Sequence, residues 1–89
     1  MIAEIKEKLA YCNPDALFLD GFDAALVGVA RRHSMPEVAV YDYGKCVQVM
    51  VDRDGSSHDD AVEYLEYNVA GAYVGENGPI LVETLDVNN

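Results

Sequence analysis

Apolar residues fall at Ile2, Ile5, Leu9 and Cys12, with Glu4, Lys6, Glu7 and Lys8 largely between them. This spacing of three to four predicts an amphipathic helix over residues 2–12. Pro14 ends it, because the residue before a proline is pushed out of helical geometry. Asn13, Pro14 and Asp15 then read as the cap, first position and first turn of a second start. One or two helical turns are expected over 14–19, stopped by Gly21. Ala24–Arg32 is small and mostly apolar and predicts a strand, with Gly28 marking a bulge or a close helix contact. His33–Pro36 is a turn, and Glu37–Tyr41 is a second, β-branched strand. The four-residue connection predicts an antiparallel hairpin.

Residues 42–53 carry two patterns. Val47, Val49 and Val51 alternate as in a strand, whereas Tyr43, Cys46, Val47, Met50 and Val51 keep helical spacing behind Asp42 as a cap. Five helical positions against three alternating ones select the helix, which Asp54-Gly55 ends. Ser57-His58-Asp59-Asp60 is similar to a capping box, and Ala61, Val62, Leu65 and Val69 form an apolar stripe behind it. A helix over 58–70 is expected, closed by Gly71. After a Gly75–Pro79 loop, Ile80–Leu85 is a third strand, and the tail at 86–89 frays. The order is α-β-β-α-α-β. It predicts an α+β fold: a small three-stranded antiparallel sheet, with the last strand beside the first, covered by two or three helices. A single domain spans 1–89, with its core in 14–85.

Composition narrows the function classes. Hydrophobic residues make up 51% and charged residues 25%, which is globular rather than disordered. No apolar run is long enough to span a membrane, and the acidic N-terminal stretch lacks the apolar region of a signal peptide, so a soluble, cytoplasmic protein is expected. Sixteen acidic and six basic side chains give a formal charge of -10. That charge repels phosphate backbones, disfavours direct nucleic-acid binding and suits a basic partner. Cys12 and Cys46 lie among apolar neighbours and read as two buried, reduced thiols.

No catalytic motif emerges. His33 and His58 are the two histidines, and neither accompanies a nucleophile motif. Ser57 serves more simply as a helix cap. Asp52, Asp54 and Gly55, with Asp59 and Asp60 beyond, invite a calcium reading. In that register the first loop position is Met50 and the twelfth is Ala61, so two anchoring ligands are missing. Gly71, Gly75 and Gly78 match no phosphate-binding loop. No cofactor, metal or enzymatic activity is expected. The six tyrosines support an interface as well as core-edge packing. Tyr41, Tyr43, Glu63, Tyr64 and Glu66 are the interface candidates, with acidic neighbours such as Asp42 suited to a basic surface.

Four runs carry a resemblance: Asn13–Phe18, Asp20–Val29, Tyr41–Cys46 and Glu63–Glu76. They resemble a family of small proteins encoded by bacteriophages and prophages, which comes without an assigned activity. The likeness covers most of the chain past the first helix. It implies a phage origin and the cytoplasm of a host cell. It also implies a helix over 42–53, from which Gly44 departs. Carried over by position, the family-like polar residues are Asp20, Asp23, Asn68, Tyr73 and Glu76. If the ends that bear them meet, they form one acidic, hydrogen-bonding cluster. Each also has a structural role open to it: Asp23 capping a turn, Asn68 satisfying loop amides, Glu76 pairing with Arg31 or Arg32.

Two functions follow as expectations. The first is a small acidic protein that binds a host factor with a basic surface, as an inhibitor, counter-defence factor or nucleic-acid mimic. The second is a small-ligand module, for a nucleotide signal, or a weak hydrolase, using the Asp/Asn/Tyr/Glu cluster. A homo-oligomer is compatible with both.

Overall fold

A computed structural model describes residues 1–70 and 75–85. Helix α1 runs Ile2–Cys12, strand β1 Leu26–Ala30, strand β2 Val38–Asp42, helix α2 Tyr43–Asp54, helix α3 His58–Leu65 and strand β3 Ile80–Val82. A 3-10 turn at Asp23–Ala25 leads into β1, and a wider π-helical turn at Glu66–Ala70 continues α3. The fold is α+β, as the pattern predicts. The closing Gly71 and the tail at 86–89 lie outside the described residues.

The caps explain where the helices start. Asp42 Oδ1 accepts from Lys45 N at 2.9 Å and opens α2 directly off the end of β2. Gly55 closes that helix at φ 68, a backbone region that a side chain disfavours. Ser57 Oγ accepts from Asp60 N at 3.1 Å and opens α3. Asp59 and Asp60 in its first turn face the positive end of the helix dipole.

The sheet order is β1-β2-β3. β1 and β2 pair antiparallel, with Gly28 opposite Val40 and a register shift between Leu26 and Gly28 that marks a bulge. A Cβ built at Gly28 meets nothing within 4 Å, so the glycine goes with the bulge and not with a close helix contact. The connection spans 31–37, longer than the expected four residues, and turns through Ser34 at φ 61 with Met35 N donating to Arg32 O.

The pairing of β3 corrects the expected topology. β3 lies beside β2, not β1, and runs parallel to it, with Val40 opposite Ile80 and Asp42 opposite Val82. The sheet is mixed. A parallel neighbour needs a crossover of a dozen or more residues, and α2 and α3 supply it. β2 thereby becomes the central strand, and its apolar run Val38-Ala39-Val40-Tyr41 suits that place better than an edge.

Alternation along β2 sends Ala39 and Tyr41 into the main core cluster. There they meet Leu9 from α1, Leu26 from β1, Cys46, Val47 and Met50 from α2, and Ala61 and Leu65 from α3. Residues 14–19 are not helical. Instead Leu17 N donates to Asn77 O at 3.0 Å and Leu19 N to the Tyr41 hydroxyl at 2.9 Å. Tertiary partners take the amides that helical turns would have used.

Asn13 caps no second helix. It ends α1 and is buried, accepting from Asp15 N through Oδ1 and donating through Nδ2 to Glu37 O at 2.7 Å and Asn77 Oδ1 at 3.0 Å. Cys46 is buried as expected, but Cys12 is exposed. The stripe of α1 buries Ile5 and Leu9, and its last position runs past the core.

Candidate functional site

α3 has two contrasting sides. Ala61 and Leu65 are buried against the core, with Val62 half-buried. Asp60, Glu63, Tyr64 and Tyr67 recur at i, i+3, i+4 and i+7 on the other side. With Asn68 they line a shallow depression of about 380 Å³. Tyr64 is 47% exposed and Tyr67 78%. Asn68 Nδ2 donates to Tyr64 O at 3.2 Å, across the junction with the π-helical turn.

The neighbouring surface is also acidic. Tyr43, half-buried at the start of α2, donates its hydroxyl to Glu66 Oε1 at 3.2 Å. Desolvation, then the hydrogen bond and charge of Glu66, push the Tyr43 phenol pKa up, so it stays a neutral donor. After Arg53 the chain contains no lysine or arginine, but carries Asp54, Asp59, Asp60, Glu63, Glu66, Glu76, Glu83 and Asp86. Arg53 is itself engaged. It donates to both oxygens of Asp54 at 2.9 Å and to Gly21 O at 2.8 Å, and lies 5.2 Å above the Phe22 ring.

The interface candidates divide. Glu63, Tyr64 and Glu66 are exposed, and Tyr43 is half-buried. Tyr41 is fully buried, corrects that part of the expectation, and accepts from Leu19 N. It shares the core face of β2 with Ala39, which the sequence cannot show before the strand's partners are known. Asp60 and Tyr67 belong to this face but are not among the interface candidates expected from the sequence. Their 60/63/64/67 spacing, outside the 61/65 stripe, is the signal that finds them.

The family-like polar residues spread over three places. Asp20 and Asp23 line a second depression, of about 580 Å³, with Lys6 and Phe18. Lys6 Nζ stands 2.9 Å from Asp23 Oδ2 and 5.5 Å from the Phe18 ring centroid. Asn68 belongs to the α3 depression. Glu76 is exposed, and its backbone carbonyl, not its carboxylate, accepts from Arg32 Nη2 at 2.8 Å. Tyr73 lies outside the described residues.

The acidic residues of the calcium reading have local partners. Asp52 accepts from Gln48 Nε2 at 2.8 Å, and Arg53 holds the Asp54 carboxyl below the usual carboxylate range. Among the described residues no group of three or more His, Cys, Asp or Glu side chains is placed to hold a metal ion, and no helix is long and apolar enough to cross a membrane. No family model, curated protein or solved structure matches this chain.

Proposed function

We propose that the protein is a small acidic binding protein whose α3 face docks a basic surface of another protein. The observation that carries this reading is the juxtaposition of two exposed tyrosines with Asp60 and Glu63 on one helix face, in a chain of charge -10. Tyrosine gives a large rigid contact at low entropic cost, and its ring attracts lysine and arginine. Carboxylates at the rim steer a cationic partner and raise its on-rate. The phage resemblance supports a bacterial host protein as that partner, in the host cytoplasm. A groove that otherwise takes nucleic acid is the matching surface, so the protein acts by inhibition or mimicry. The small-ligand alternative draws less support, because Asp23, Asn68 and Glu76 line no shared cavity described in the structure.

The test compares the wild-type chain with an Asp60→Lys/Glu63→Lys variant as bait in nuclease-treated bacterial lysate. The wild type retains one stoichiometric protein at low salt and releases it at high salt, and the variant retains none. Equal retention by both baits, or retention insensitive to salt, contradicts the reading.

A further inference from the structure

The two edges of the sheet are built differently. β3 is three residues long and is flanked by Pro79 and Glu83, which guard an edge against further pairing. β1 is five residues, Leu-Val-Gly-Val-Ala, with neither charge nor proline, and its one guard is the bulge between Leu26 and Gly28. It pairs with β2 on one side, and among the described residues no backbone partner takes its other side. Beside it lies a largely apolar depression of about 390 Å³, lined by Met1, Glu4, Ile5, Lys8, Gly28 and Val29. The space in front of Gly28 is open.

Charge is placed unevenly along this edge. Arg31-Arg32, the only adjacent basic pair in the chain, follows the strand. Asp20 and Asp23 precede it. Arg31 is 70% exposed, and its nearest carboxylate, on Glu37, is 3.8 Å away. Arg32 is already bound to Glu76 O, so Arg31 is the cation this edge offers. Antiparallel pairing of the strand with itself brings Arg31 of each copy to the end where the other copy carries Asp20 and Asp23, the latter 2.9 Å from Lys6. Parallel pairing would set like against like. Glu4 and Lys8 follow the same logic on α1, since a two-fold axis reverses their order and acid meets base.

We propose that β1 is a self-association edge: two copies of this chain pair antiparallel about a two-fold axis near Gly28 and form one continuous sheet. This surface is separate from the α3 face and does not depend on it. Two-fold interfaces use one self-complementary patch, as this strand provides. Salt weakens the Arg31–aspartate attraction but also screens the repulsion between two copies of charge -10. With so few contact pairs the repulsion is the larger effect, so the dimer tightens as salt rises. A complex with a basic partner weakens under the same change. The opposite signs let the two proposals fail separately.

Sedimentation of the full chain over a hundredfold range of concentration, at low and high salt, tests it. The wild type shifts from 9.7 kDa toward twice that mass, and more so at high salt. Gly28→Lys places a charge from each copy at the axis, where its Cβ meets no atom of its own chain, and the variant stays monomeric with an unchanged circular-dichroism spectrum. Arg31→Glu, at an exposed position, weakens pairing about tenfold, equivalent to about 1.4 kcal/mol, and decides the matter should Gly28→Lys unfold. A wild type that stays monomeric throughout at high salt overturns the proposal. So does a dimer that either folded variant leaves intact.

Discussion

Asn13 does more structural work than its sequence suggests. Its amide joins the end of α1, the carbonyl before β2 and the loop before β3, three segments far apart in the chain. Asn13→Ala leaves the Glu37 carbonyl without this buried partner and removes the local turn bond, at an expected cost of about 2 kcal/mol. Urea denaturation reads that cost as a lower midpoint. The two thiols differ just as sharply. Burial pushes the Cys46 thiol up to about 11, so at neutral pH it stays protonated as well as covered. Cys12 is exposed, although the nearby Glu37 carboxylate also raises its pKa. A thiol-reactive dye at pH 8 therefore labels one cysteine in the native protein, Cys12. The second reacts only on unfolding, and mass spectrometry of the peptides identifies each.

At the scale of elements, local signals were legible and long-range pairing was not. The 3.6-residue stripe and the caps at Asp42 and Ser57 placed α2 and α3 within a residue or two at their starts. The alternation of Val47, Val49 and Val51 competed with that reading and lost, because Cys46, Val47 and Met50 face the core together. β1 announces itself as a small, mostly apolar run and β2 by its β-branched content, with a turn between them. Which strand β3 joins depends on the path of two helices, and three apolar residues carry no trace of it. The same limit hid the irregular course of 14–19, whose amides find partners at Asn77 and Tyr41. On the candidate site, Glu63, Tyr64 and Glu66 were legible as exposed, but the burial of Tyr41 depended on the central place of β2.

Asp42 joins these elements and gives an element-scale prediction. It caps α2 through Lys45 N and accepts from Thr84 Oγ1 at 2.9 Å, tying the segment after β3 to the α2 start. Its carboxyl pKa lies below the ordinary 3.8, chiefly because the Lys45 amide hydrogen-bonds the charged form. Its folded pKa is depressed, so its stabilisation is fully present above 3.8 and is lost as pH falls through the lower folded value. Asp42→Ala costs about 1–2 kcal/mol at pH 7. That difference shrinks below pH 4, which thermal melts of both proteins at pH 7 and pH 3 measure.

For the whole molecule, the charge distribution organises the account. The basic side chains stop at Arg53, and Arg53 is held by Asp54 and Gly21. Beyond it, in a stretch of sequence without lysine or arginine, α3 and the turn after it present Asp60, Glu63, Tyr64 and Tyr67. Arg31 and Arg32 lie instead after β1, at the opposite end of that strand from Asp20 and Asp23. In this account, one side of the molecule receives a cationic partner and the β1 edge receives a second copy. The most direct measurement is a titration of the isotope-labelled protein with an arginine-rich helical peptide at low salt, followed by amide chemical shifts. The account predicts saturable shifts concentrated at Asp60, Glu63, Tyr64, Tyr67 and Asn68, abolished by Asp60→Lys/Glu63→Lys. Shifts spread evenly over Glu4, Glu7, Asp15, Asp20 and the other exposed carboxylates, with no preference for the α3 face, would contradict it.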